Sequence, residues 1–301
     1  LTFEQLQIFV AVAEREHLTR AADAIALTPS AVSAAIRNLE AFYQVELFHR
    51  IGRRIELTPE GRAFLPEAKA VLARVRAAEL MLAEMGGLTR GALSVHASQT
   101  VASYWLPPVL MAFHAQYPGI DLKLTIGNTT TVAKAVMEGL ADIGFIEGPI
   151  DEPALSVSEI ARDAIVVVVS PDHSWAAGKP VPPADLVTAT GWIMREAGSG
   201  TRAAFEAALV THSIDPQALK IVLELPSNEA VLSAVRAGGC AAAVSESAAE
   251  TLLHEGQLVR ANIALPSRPF SVLRHKERHP SKAAIAMERL AREKSTPSQP
   301  S

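Results

Sequence analysis

One cysteine, Cys240, occurs in the 301 residues. That excludes an intramolecular disulfide framework and any zinc site built from clustered cysteines, and it suits a reducing compartment. Cys240 falls in the apolar run GGCAAAV and reads as a small buried residue. No apolar stretch approaches the roughly 18 residues of a membrane span. The segment LTFEQLQIF is amphipathic and acidic, with neither the basic n-region nor the apolar core of a signal peptide, so a cytoplasmic protein without membrane contact is expected. Basic charge is also scarce. Lys plus Arg number 28 against 32 Asp plus Glu, a formal net charge of −4, and residues 1–62 hold seven Arg, no Lys and eight acids. Contact with nucleic acid then depends on where the arginines stand, not on how many there are. Absent too are a nucleophile elbow, a Walker loop and a paired acid motif. His275 and His279 share an i, i+4 spacing, but no Cys and no HExxH frame accompany them. Neither a metal, a cofactor nor enzymatic activity is expected.

What is present is concentrated first in residues 17–61, HLTRAADAIALTPSAVSAAIRNLEAFYQVELFHRIGRRIELTPEG. Helical spacing turns Ala21, Ala22 and Ile25 inward over about Thr19 to Ile25. A break at Ala26–Leu27 follows. Thr28 then suits an N-cap and Pro29 the first helical position, where a missing N–H costs nothing. Val32, Ile36 and Leu39 form the buried stripe of this second helix. Ser30, Ser33, Ala34 and Arg37 occupy its other side, small enough for a helix that enters a major groove. Arg50, Arg53 and Arg54 fall within five residues on the following hairpin, the placement that phosphate contact requires. Arg20 and Arg37 have two readings, DNA contact or a surface ion pair.

The pattern L-T-R-A-A-D-A-I…L-T-P-S-A-V-S-A-A-I-R-N-L-E…L-F-H-R…G-R-R-I-E-L-T-P-E-G resembles the LysR-type bacterial transcriptional regulators, and the resemblance extends more weakly over almost the whole chain. It implies an N-terminal all-α winged helix-turn-helix with a linker helix. It further implies a C-terminal α/β two-lobed domain resembling the type II periplasmic binding proteins. The implied partners are double-stranded operator DNA, a small-molecule effector, a second copy of the chain in a dimer or tetramer, and RNA polymerase. Thr28 joins Arg20, Ser30, Ser33, Arg37, Arg50, Arg53 and Arg54 as a DNA-binding residue. Ala34 and Ala35 stand where many relatives carry Arg, Gln or His, which leaves fewer long side chains for base reading.

Between residues 59 and 85, Phe64, Ala68, Val71, Val75, Ala78, Leu82 and Met85 recur at alternating steps of four and three, with Lys69, Arg74, Arg76 and Glu79 beside them. The pattern fits one amphipathic helix packed on its own domain. It fits better a heptad seam that pairs two chains through Val71, Val75 and Leu82, ending at Gly86-Gly87 and kinked in its first turns by Pro66. From Gly91 the rhythm becomes strands alternating with helices. The strands are ALSVHA, IDLKLTIG, DIGFIE, AIVVVVS, WIMRE, KIVLEL and CAAAV, with an irregular stretch over 147–156. Such alternation predicts parallel sheets with crossover helices, divided in two by Pro-rich 180–183 and 266–269. The expected units are the DNA-binding domain 1–58, the linker and dimerisation helix 59–87 and the effector domain 88–294. Within the last, lobe I covers about 91–161 and 268–294 and lobe II about 162–267. Residues 295–301 form a disordered polar tail.

Three segments share one position, the end of a strand where a helix begins: Ser98-Gln99-Thr100, Asn128-Thr129, and Ser199-Gly200-Thr201-Arg202 within REAGSGTR. Singly, their hydroxyls read as N-caps. Converging, they make a crevice whose hydroxyls and helix-terminal N–H groups suit a small anion. REAGSGTR also resembles the sulfur-assimilation and carbon-fixation branch of the LysR-type family. Two other functions fit parts of the chain. A solute-binding protein would share the two-lobed domain, and a dinucleotide-dependent oxidoreductase would use Gly198-x-Gly200-x-x-Ala203 with Glu224 as its fingerprint.

Overall fold

The computed structural model describes residues 1–51, 54–85 and 91–295. Arg53, Gly86-Gly87 and the tail 296–301 lie outside the described residues, as do the side chains of Arg50, Arg54 and Met85. The chain divides into two compact units, the first essentially Leu1–Leu82 and the second from Ala83 onward.

In the first unit α1 (Phe3–Arg15), α2 (Leu18–Ala24) and α3 (Pro29–Tyr43) pack around Phe9, Val12, Ala21, Ala22, Val32, Ile36 and Leu39. Thr2 opens α1 with a capping box, its Oγ1 accepting from Gln5 N while Gln5 Oε1 accepts from Thr2 N. Ala26 sits in the left-handed region at φ 54° in the break between α2 and α3, at a cost of about 1–2 kcal/mol that the packed helices offset. The wing is β1 (Phe48–Ile51) paired antiparallel with β2 (Arg54–Leu57). Glu40 anchors its start: Oε1 accepts from Leu47 N at 2.8 Å and Phe48 N at 3.1 Å. Its end is held by Thr58, which donates to Glu46 O and accepts from Gly61 N, both at 2.8 Å. A Cβ on Gly61 would stand 2.1 Å from Leu47 O, which explains the glycine that closes T-P-E-G. α4 (Pro59–Met85) is one continuous helix across Pro66.

The second unit holds two five-stranded sheets. Lobe I contains β3 (Gly91–Ser98), a π-helical turn Val101–Trp105, α5 (Pro107–Gln116), β4 (Ile120–Gly127), α6 (Thr129–Glu138), β5 (Ile143–Glu147) and β6 (Leu155–Asp163). The chain then crosses to lobe II: β7 (Ile165–Val169), α7 (Asp185–Thr188), β8 (Gly191–Arg195), α8 (Gly200–Thr211), β9 (Ile221–Leu225), α9 (Asn228–Arg236), β10 (Cys240–Ser245), α10 (Glu246–His254) and β11 (Val259–Arg260). It returns through β12 (Arg268–His275) to the first sheet and ends in α11 (Lys282–Ser295). The strand orders are β4-β3-β5-β12-β6 and β11-β7-β10-β8-β9. Lobe I buries Leu93, Val95, Phe113, Ile143, Phe145, Phe270 and Met287. The lobe II sheet is covered on both faces, by Trp192, Phe205 and Leu209 on one and Val231, Leu232 and Val235 on the other.

Both sheets are mixed, not parallel as the alternation predicts. β12 runs antiparallel to β5 and β6, and β7 antiparallel to β10 and β11. The segment 147–156 is irregular only in part, since Glu147 closes β5 and Leu155 opens β6. β6 faces solvent at alternate positions and carries Glu159 and Arg162, and Pro269 interrupts the apolar pattern of β12. Neither therefore shows the signal of a buried strand. Among the described residues no helix is long and apolar enough to cross a membrane.

Candidate functional site

In the first unit the polar side of α3 stays open. Thr28 Oγ1 accepts from Ala31 N at 3.2 Å and lies 3.0 Å from Ser30 Oγ. Ser30, Arg37 and Arg20 are exposed, while Ser33 and Ala34 are half-buried. Arg37 donates to Ser33 Oγ at 3.0 Å, one turn back along the helix, so the two polar groups form one edge. β1 and β2 carry Arg50 and Arg54 on paired backbone.

α4 packs one face on its own unit and leaves apolar side chains outside it. Phe64, Ala68 and Leu72 turn into the unit's own core, whereas Val71 and Leu82 are exposed by 46% and 68% and Val75 is half-buried. The seam read from Phe64 onward is thus shorter at its start. Its first two members pack on the helix-turn-helix, and the apolar side chains not used by the unit's own core begin at Val71.

In the second unit the three strand-to-helix segments meet at the carboxyl ends of β3, β4, β5, β8 and β9, across the gap between lobes. Ser98, Thr100, Thr129, Ser199 and Thr201 are all buried. Gln99 reaches across to α9: Nε2 donates to Glu229 Oε1 at 3.0 Å and Oε2 at 2.9 Å, and Oε1 accepts from Asn228 N at 3.2 Å. Thr100 Oγ1 accepts from Asn228 Nδ2 at 3.0 Å. Asn128 Nδ2 donates to Glu196 Oε1 at 3.3 Å. Thr129 Oγ1 donates to Glu147 O at 2.7 Å. Gly200 comes so close to β5 that a Cβ there would stand 1.9 Å from Glu147 O. Gly198, at φ 86°, and Gly200 are accounted for by this turn and this contact, with no dinucleotide needed to explain either.

Four buried charged groups, which the sequence reading does not single out, organise the crevice. Arg195 closes β8 and donates to Glu196 Oε2 at 2.9 Å, Gln99 Oε1 at 3.3 Å and Asn228 Oδ1 at 3.2 Å. Arg268 opens β12. Its Nε and one Nη donate to Asp163 Oδ2 at 2.9 and 2.8 Å, and its other Nη to Thr201 Oγ1 at 2.7 Å. Asp163 Oδ1 accepts from Ser245 Oγ at 2.8 Å. Glu147, 1% exposed, accepts from Ser98 Oγ, and Arg268 approaches it only to 3.9 Å.

Burial pushes the Glu147 carboxyl above its ordinary range, and neighbouring Asp163 pushes the same way. The Arg268 charge, a Thr100 hydrogen bond and Arg195 oppose them without cancelling the shift. Glu229 behaves differently. Partial burial pushes it up, but its own backbone N–H, Tyr104, Ser227 and Gln99 hold it below the ordinary value. Burial, followed by Glu229, raises the Tyr104 phenol.

Two predicted residues join this web less directly, Arg202 only through the Arg195 backbone carbonyl, to which it donates at 3.2 Å. Arg202 turns along α8, its Nε donating to Glu206 Oε1 at 2.7 Å, and also pairs with Glu224. Ser199 precedes α8 without capping it, and its buried Oγ has no hydrogen-bond partner. Signals for the missed residues were modest. Glu147 is the charged end of the apolar strand DIGFIE, Arg195 lies inside REAGSGTR, and Asn228 follows β9 in the same strand-to-helix position. Arg268 had none, standing between two prolines' worth of broken pattern.

Known proteins bear on this arrangement. Residues 3–62 match the family model described as bacterial regulatory helix-turn-helix protein, lysR family. Residues 86–296 match the LysR substrate binding domain. The HTH-type transcriptional regulator YeiE of Escherichia coli (strain K12) is 34% identical over 285 residues, 94% of each chain. Full-length CbnR complexed with its target DNA superposes with a TM-score of 0.71 at 25% identity, over 97% of this chain and 99% of that one. The regulatory domain of CcmR from Synechocystis PCC6803, in complex with 2-PG, does so with a TM-score of 0.61 at 25% identity, over 68% and 98%. These relatives are regulators, not enzymes, and this chain belongs to the LysR family of bacterial helix-turn-helix transcriptional regulators.

Proposed function

We propose that the chain grips a partly palindromic operator as a dimer, and that a small anionic metabolite between the lobes controls its operator binding or its activation of transcription. The DNA would be read by α3 through Ser30, Ser33 and Arg37, with Thr28, Arg20 and the wing residues Arg50, Arg53 and Arg54 on phosphates. Self-association would use Val71, Val75 and Leu82 on α4. The CbnR–DNA complex supports the first reading by likeness of fold. Work on DNA in turn places the protein in the cytoplasm.

The observation that carries the effector reading is Ser199. A buried hydroxyl without a partner costs about 1–3 kcal/mol, and this one stands where the 12-residue helix α8 begins, beside Gly200, which packs against Thr129 and the Glu147 carbonyl. A ligand oxygen there would satisfy Ser199, take over the Ser98 hydrogen bond and meet the positive end of the helix. The relative bound to 2-PG supports a small ligand in this domain. Arg202 is already paired along α8 and supports the helix, not the ligand.

Calorimetry with inorganic phosphate as probe tests the crevice. Binding that weakens about tenfold in Ser199→Ala, as expected for one charge-assisted hydrogen bond, upholds it; unchanged affinity removes Ser199 from the site. For the DNA face, the variant with Arg50, Arg53 and Arg54 all changed to Ala should bind the region upstream of its own gene more weakly. Its log–log salt slope should flatten by up to about 0.9 per lost phosphate contact. An unaltered slope would take the wing out of the interface.

A further inference from the structure

An anion in this crevice meets an acid already installed there. Glu147 ends β5 on the floor of the gap, buried, with its carboxylate accepting from Ser98 Oγ and its backbone carbonyl accepting from Thr129 Oγ1. The groups that face it from every side are few. β3 offers Ser98 and the turn after it Thr100, β12 offers Arg268, β6 offers Asp163 and β8 offers Arg195. Both arginines act on it through charge, Arg268 from 3.9 Å, but each is already shared with other groups. Arg268 commits two nitrogens to Asp163 and a third to Thr201, and Arg195 is engaged by Glu196 through two hydrogen bonds. Two cations therefore stand against the carboxylates of Glu147, Asp163 and Glu196 before any ligand arrives. A second bare oxygen laid against Glu147 would pair acceptor with acceptor in a site of low polarisability, an arrangement with no hydrogen bond and with like-charge repulsion.

The geometry points to Glu147 as the residue that sets the chemical class of the ligand: the crevice takes a small oxyanion that keeps a hydroxyl or a proton of its own, donated to Glu147, and rejects one that has no hydrogen-bond donor. This rests on the anion reading above. Ser98 and Ser199 would donate to the ligand's oxygens while Glu147 accepts from its O–H, so both signs of hydrogen bond are satisfied in one small volume. Burial also favours the protonated carboxyl. Acid should thus convert Glu147 from acceptor to donor and relax the discrimination.

Phosphate and sulfate probe this directly, being alike in size and shape, while only phosphate retains a proton at neutral pH. Titration calorimetry on the full chain at pH 7 and constant ionic strength should show phosphate binding at least on the order of a hundredfold tighter than sulfate, the scale set by a site built to meet a ligand hydroxyl. In Glu147→Gln, whose amide can donate, the two affinities should converge to within about threefold, chiefly through a gain for sulfate. In wild type, sulfate affinity should rise as pH falls, with no substitution needed to see it, and the variant should lose that dependence. If wild type binds both ions equally, or the variant keeps the preference, the Glu147 filter is overturned while the anion site stands. If wild type binds neither ion at millimolar concentration, the anion site and the filter fall together.

Discussion

Two pairs of arginines differ in what holds them. Arg20 and Arg37 lie exposed on the helix-turn-helix, held by nothing more distant than a turn of helix. Arg195 and Arg268 are each 2% exposed, and their partners are as many as 105 residues away in the chain. The first pair is left over from folding and stays available to an outside partner. The second is consumed by folding, along with the carboxylates and hydroxyls around it. On the proposed reading, the DNA surface is assembled before its ligand arrives, whereas the crevice is already closed on its own polar groups. An effector must exchange contacts there, not add to an empty pocket.

Breaking the buried set should have the largest effect. Arg268→Met leaves Asp163 and Glu147 buried without their shared cation, and removing one partner of such a pair costs about 3–5 kcal/mol. Urea denaturation of the effector unit should show it; a loss below about 1 kcal/mol would mean that water or rearrangement replaces the guanidinium, and the contrast between the two arginine pairs would dissolve. Val75→Asp should come next. It places a charge in the α4 seam, and the fragment 1–87 should then sediment as a monomer where wild type is a dimer at micromolar concentration. A monomeric wild-type fragment would remove the seam.

Glu147 sharpens the comparison through pH. Its folded-state value is raised above the ordinary 4.5, so the stability that protonation contributes is fully present below that value and fades as pH rises through the folded one. The difference in unfolding free energy between wild type and Glu147→Gln should therefore favour wild type most at acid pH and shift against it on raising the pH. A pH-independent difference would show that the carboxyl has the same value folded as unfolded, with no upward shift. The smallest effect belongs to Arg202→Gln. Its pairs with Glu206 and Glu224 are partly exposed, so about 1 kcal/mol or less is at stake, with phosphate affinity unchanged. A clear loss of affinity at constant melting temperature would return Arg202 to the ligand.

What could be read from the order of residues follows the same division. Ala21, Ala22, Val32, Ile36 and Leu39 are packed as their spacing predicts, and Thr28-Pro29 opens α3, because each depends on neighbours within a few positions. The strand-to-helix segments were legible for the same reason: Ser98, Asn128 and Ser199 all end up around one gap. Their partners were not. Asp163 closes a half-exposed strand, and Arg268 stands beside Pro269 in a segment whose apolar pattern is broken. Only the antiparallel return of β12 alongside β5 and β6 brings Arg268 to Glu147 and Asp163. A charge pairing that depends on the return path of the chain leaves no local periodicity to find.

That return path also makes the crevice a lever. β6 leads out of lobe I and β12 leads back, so any swing of one lobe against the other would have to turn about these two crossings, with the Asp163–Arg268 pair between them. Strands are spaced about 4.8 Å apart, and in the order β4-β3-β5-β12 Glu147, Ser98 and Asn128 stand one, two and three strands out along the arm. A rotation that lifts Glu147 by about 1 Å lifts Asn128 by about 3 Å. The 3.3 Å reach from Asn128 to Glu196 would therefore part first and the ion pair at the pivot last, and a ligand wedged at mid-span would move everything beyond it further than the ligand itself displaces the strand it touches.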